Sequence, residues 1–144
     1  MPCAECDGVD RRTFLEAALA ALGLTGLAAC AASALTAPPV TAFSVRVADF
    51  PALAAVGGIA VVDNGSRSGE PIAVARTGAS AFVALSLVCP HRGTTVSVVS
   101  SGFYCPGHGA TFAANGTWTG GQPTSNLASY SISYDQAAGT LQIG

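Results

Sequence analysis

Two short clips, Cys89-Pro90-His91 and Cys105-Pro106-Gly107-His108, stand thirteen residues apart and constrain this chain more than any other feature. They use both histidines of the chain, and each His lies within three residues of a Cys. One thiolate and one imidazole per clip can close on a metal centre from opposite sides. Pro90 and Pro106 follow the two Cys and fix φ there. Gly93, Gly107 and Gly109 allow positive φ and close backbone approach, so that amide N–H groups can point at anionic sulfur. Structural zinc is the competing occupant, because two Cys and two His also make a zinc ligand set. Zinc fingers, however, group both Cys in one clip and both His in another, unlike the mixed order here.

The rest of the chain predicts an all-β domain. Half the residues are apolar and a tenth are charged, enough for a packed core. Seventeen Gly and eight Pro point to many turns. Ser44–Val47 and Ser129–Tyr134 alternate, Ile72–Arg76 and Ala81–Val88 are largely apolar, and Thr140–Ile143 closes the chain. Pro51–Val56 is expected to form a single helical turn, and Asp63-Asn64-Gly65 and Asn115-Gly116 hairpin-type turns. Each clip follows a strand end. The expected architecture is an antiparallel β sandwich or barrel with two projecting ligand loops. A net charge of −2 and the absence of Lys argue against a nucleic-acid partner.

Cys89-Pro90-His91-Arg92-Gly93 and Cys105-Pro106-Gly107-His108-Gly109-x-x-Phe112 resemble the two binding loops of the Rieske [2Fe–2S] family. The resemblance spans roughly residues 43–143. Phe50-Pro51-x-Leu53 with Val56-Gly57-Gly58, Phe82-x-Ala84-Leu85 and Asn115-Gly116 also fit that layout. Gly120-Gly121-Gln122-Pro123 resembles the Gly/Pro loop that covers the cluster, with Gln122 an imperfect match. The resemblance implies one [2Fe–2S] cluster per chain, an inner iron on Cys89 and Cys105, and an outer iron on His91 and His108, their edges toward solvent. It also implies a Rieske domain over 42–144 with an inserted cluster-binding part at about 87–124. Rieske subunits of quinol-oxidising cytochrome bc complexes carry a further Cys in each loop, joined as a disulfide; Thr94 and Gly107 hold those places. Ala110 and Phe112 stand where those subunits have a Ser and a Tyr bonded to cluster sulfur. The resemblance therefore implies a potential low in the family range, closer to Rieske ferredoxins. Thr94, Thr95 or Thr111 could supply a substitute bond.

Residues 1–30 read as an address. Arg11-Arg12-Thr13-Phe14-Leu15 followed by an uncharged run from Ala17 to Leu35 resembles a twin-arginine export signal. Leu27-Ala28-Ala29-Cys30 looks like a lipobox, with Cys30 the lipidated residue after cleavage. The alternative is an uncleaved anchor helix: nineteen uncharged residues reach roughly 28 Å, almost a hydrocarbon core. Gly23 and Gly26 in an Ala-rich run weaken that span and favour lipidation. Residues 31–41, rich in Ala, Ser, Thr and Pro, read as a tether. Cys3 and Cys6 form a CxxC ahead of the Arg pair and receive no role.

The expectation is an exported, membrane-tethered electron carrier on the periplasmic face of a bacterial membrane. Its partner would be a cytochrome or oxidoreductase. A quinol-oxidising bc-type subunit is one alternative; a zinc-structural or redox-sensing module is another. With no His to spare for a mononuclear iron site, the chain reads as an oxidoreductase component rather than a complete oxygenase. Arg92 is expected to be a solvated loop residue, Trp118 to pack in the core or a loop, and Phe103 and Tyr104 to lie in the core.

Overall fold

A computed structural model describes residues 41–62 and 69–144. The address and tether readings for residues 1–40, Cys30 included, and the turn at 63–65 lie outside the described residues. Among the described residues no helix is long and apolar enough to cross a membrane.

Among the described residues, eleven antiparallel strands form three sheets. The first joins β1 (Phe43–Arg46), β11 (Thr140–Ile143) and β10 (Ile132–Asp135), in that order. The second runs β2 (Ile59–Val62), β3 (Ile72–Arg76), β4 (Phe82–Ser86), β9 (Ser129–Tyr130). The third is a meander of three-residue strands: β5 (Ser97–Val99), β6 (Gly102–Tyr104), β7 (Thr111–Ala113) and β8 (Trp118–Gly120). This third sheet is inserted between β4 and β9; the first Cys/His clip leads into it and the second joins β6 to β7.

The continuous apolar reading of β3 and β4 has a physical reason. Both strands are buried on two faces, and successive side chains feed two different cores. Ile72, Val74, Phe82 and Ala84 enter a base core with Val45, Leu53, Val62, Tyr130, Leu141 and Ile143. Ala73 and Leu85 point the other way, into a second core with Leu87, Val96, Phe103, Phe112 and Leu127. That second core also contains Cys89 and Cys105.

The helical turn expected at Pro51–Val56 forms as a 3-10 turn over Pro51–Ala54 that buries Leu53, with another 3-10 turn at Val47–Asp49 on the far side of Phe50. One expectation changes. The alternating run Ser129–Tyr134 is divided: β9 pairs with β4, whereas β10 pairs with β11. Alternation continues through Ser131, but the hydrogen-bonding partner changes sheet. The Asn115-Gly116 turn forms as expected between β7 and β8, Gly116 at φ +84 and Asn115 Oδ1 accepting from the Thr117 N–H at 3.1 Å. A side chain at 116 would collide with Leu85, so the turn seats on the second core.

Candidate metal centre

Each Cys/His clip is a six-residue loop that closes a strand pair. Val88 bridges Thr95 at the mouth of the first loop, and Tyr104 pairs with Thr111 at the mouth of the second. Within them the hydrogen bonds are the same. Cys89 N–H donates to Thr94 O at 2.8 Å, and Gly93 N–H returns to Cys89 O at 2.8 Å. Cys105 N–H donates to Ala110 O at 2.8 Å, and Gly109 N–H returns to Cys105 O at 2.9 Å. The glycine four residues after each Cys is left-handed, with φ +74 at Gly93 and φ +77 at Gly109. Each Cys sulfur accepts from the amides two and three residues on: His91 and Arg92 for Cys89, Gly107 and His108 for Cys105. The loops are conformational copies.

His occupies the second position after Cys89 but the third after Cys105. That one-residue difference brings the two imidazoles together at the tip. Their Nδ1 atoms lie 3.2 Å apart, with ring centroids 4.6 Å apart and planes at 88°. Below them, Cys89 and Cys105 are 2% and 1% exposed. The donors thus form two pairs, buried sulfur beneath exposed nitrogen. Among the described residues no three His, Cys, Asp or Glu side chains gather as a site for a single ion.

Burial pushes the Cys89 thiol up, and its hydrogen bond with Cys105 adds to this. For Cys105 burial acts in the same direction, but the Cys89 hydrogen bond and the Gly107 and His108 amides outweigh it and bring the thiol down. The amides aimed at sulfur favour thiolate, the form an iron ligand needs.

Gly107 is not left-handed, yet its N–H reaches the Cys105 sulfur and it allows the close approach expected of it: a Cβ there would lie 2.7 Å from Thr94 Oγ1, so glycine lets the two loops meet. Tyr104 departs from its expected place in the core; it is 42% exposed, while Phe103 beside it is 1% exposed, because adjacent strand residues face opposite sides. Arg92 is exposed, and Trp118 is half-buried against the second core. Sequence reading missed Glu70, Ser86 and Tyr130. Glu70 Oε2 accepts from the Tyr130 hydroxyl at 3.2 Å and from Ser86 Oγ at 3.5 Å. Ser86 Oγ in turn accepts from the Val88 N–H at 3.1 Å, just before the first loop.

A three-sheet β domain whose inserted sheet presents paired thiols and imidazoles defines a small iron–sulfur domain. The Rieske [2Fe-2S] domain model matches residues 53–131, more than half the sequence, and the chain belongs to that family. It carries one [2Fe–2S] cluster per domain, which the paired donors fit. A search of curated protein sequences gives no match. Solved structures similar to it include the plasma membrane Rieske protein PetC3 from Synechocystis PCC 6803 (26% identity, 54% of this chain and 79% of that one, TM-score 0.48). The quaternary ammonium Rieske monooxygenase CntA shares the fold at 21% identity and TM-score 0.54, over 76% of this chain. This chain spans only 31% of the monooxygenase's length. The ferredoxin of carbazole 1,9a-dioxygenase from Nocardioides aromaticivorans IC177 is 19% identical over 76% of this chain and 97% of its own, with TM-score 0.47.

Proposed function

We propose that Cys89 and Cys105 hold the inner iron of the cluster, and His91 and His108 the outer one, in a single-electron carrier tethered at a membrane. The observation that carries this reading is the stacking of donors: a buried Cys pair beneath a His pair that reaches the surface. Two thiolates, two sulfides and two ferric ions sum to zero charge, and one added electron gives −1. The buried sulfurs keep the charged end of the centre in the second core, held by amide donors. The half-buried His91 and exposed His108 give electrons a short path to a docked partner.

Arg11-Arg12 and the Cys30 lipobox support export and attachment to the periplasmic face of a bacterial membrane. The partner is then a cytochrome or oxidoreductase at that surface. Thr94 and Gly107 in place of a Cys pair, with Ala110 and Phe112 in place of hydroxyl donors, favour a carrier of low potential over a quinol-oxidising bc-type subunit. A small redox subunit of a larger enzyme fits the same features.

Iron and acid-labile sulfide at two each per chain, with an EPR signal appearing only on reduction, are expected. Stoichiometric zinc without sulfide would overturn the reading. His108→Ala should abolish the reduced-state signal, and its persistence would overturn the ligand assignment. Failure of a quinol to reduce the domain separates the carrier from the bc-type subunit.

A further inference from the structure

Trp118 opens β8, and its two N–H groups reach both ends of the segment that follows. The backbone N–H donates to Asn126 Oδ1 at 2.9 Å, and the indole Nε1–H donates to Gln122 O at 3.1 Å. The segment between, residues 121–126, lies against the second cluster loop. Gly121, at φ +73, approaches so closely that a Cβ would sit 1.8 Å from Gly109 O. Gly109 directly follows His108. Beyond the segment, Leu127 is buried in the Cys-bearing core and its N–H donates to Gly116 O at 2.9 Å.

We infer that Trp118 is a positioning residue whose paired N–H groups clip segment 121–126 against the loop bearing His108, excluding water from that side of the cluster. The inference rests on the proposed function and names a residue that the ligand set does not contain. Its physical consequence has a sign. The reduced cluster carries the extra negative charge, and water stabilises charge better than a packed loop does. Loosening the clip therefore favours the reduced state, raises the potential and opens a route for chelators.

Trp118→Phe keeps an aromatic body and removes the indole donor. In the cluster-bearing protein, hydrogen exchange of the Leu127 amide, bonded to Gly116 O at the end of the segment, should accelerate about fivefold, the equivalent of ~1 kcal/mol for one hydrogen bond. The midpoint potential should move upward, and iron loss to a chelator should quicken by a similar factor. Asn126→Ala, at an exposed position, removes the second attachment and should act in the same direction; it decides the matter if Trp118→Phe fails to fold. Unchanged exchange, potential and chelator sensitivity in a folded variant that keeps its cluster overturn the inference and leave the proposed function standing. A wild-type protein without iron and sulfide overturns both.

Discussion

At the scale of single residues, the two loops are governed by where glycine stands and why. Gly93 and Gly109 are left-handed and face open space, so a substitution there is a backbone problem. Gly109→Ala should cost about 1–2 kcal/mol, the penalty of an L-residue in that region, read as a lower urea midpoint. Gly109→Asn should cost less, because Asn tolerates left-handed φ. Ala110 and Phe112 are a different kind of position: both are buried in the core that holds Cys89 and Cys105. Ala110→Ser and Phe112→Tyr should each raise the midpoint potential, since a hydroxyl bonded to sulfur stabilises the reduced state. Voltammetry checks this, and no shift in either variant means the hydroxyl does not reach sulfur.

At the scale of elements, the two loops and the strands behind them act as paired parts. Thr94 and Gly107 meet where the loops touch, a Cβ at 107 lying 3.3 Å from Thr94 Cβ. That is near the ~3.5–4.5 Å separation of a disulfide. The double variant Thr94→Cys with Gly107→Cys should close a loop-to-loop disulfide on mild oxidation, counted by thiol titration. Behind the first loop, Glu70 ties β9 and β4 together through Tyr130 and Ser86. Burial and the Glu70 charge push the Tyr130 phenol above its ordinary range. The unfolded phenol ionises first, so this contribution is whole below a pH of about 10 and declines as pH rises through the phenol range. Urea midpoints from neutral to strongly alkaline pH should fall more steeply in wild type than in Tyr130→Phe.

For the whole molecule, the inserted sheet has short strands, and much of its core consists of the two Cys and the residues against them. Binding of a cluster to the folded form alone stabilises that form. Stripping iron with a chelator should lower the melting temperature, and hydrogen exchange should rise in β5–β8 more than in the base strands β1, β10 and β11. Equal exchange in both regions would mean that the inserted sheet holds without its metal.

Much of this was legible in the chain itself. Within each clip the Cys, the Pro and the His lie within four residues of one another, and loop conformation is set by hydrogen bonds over that same short range. Ile72–Arg76 and Thr140–Ile143 are strands at the bounds their apolar content predicts. The three-residue strands of the inserted sheet carry too few residues to show a period, so β5, β7 and β8 were not legible. Local sequence likewise could not say that β3 and β4 serve two cores, or that Ser129–Tyr134 changes sheet. Nor could it say that Gly107 is small for the sake of Thr94 rather than for its own φ. Each of these depends on contact between residues distant in sequence. The candidate ligand set was therefore readable locally, from spacing. The burial of its sulfurs, the meeting of its imidazoles and the hold of Trp118 on segment 121–126 were decided only by tertiary packing.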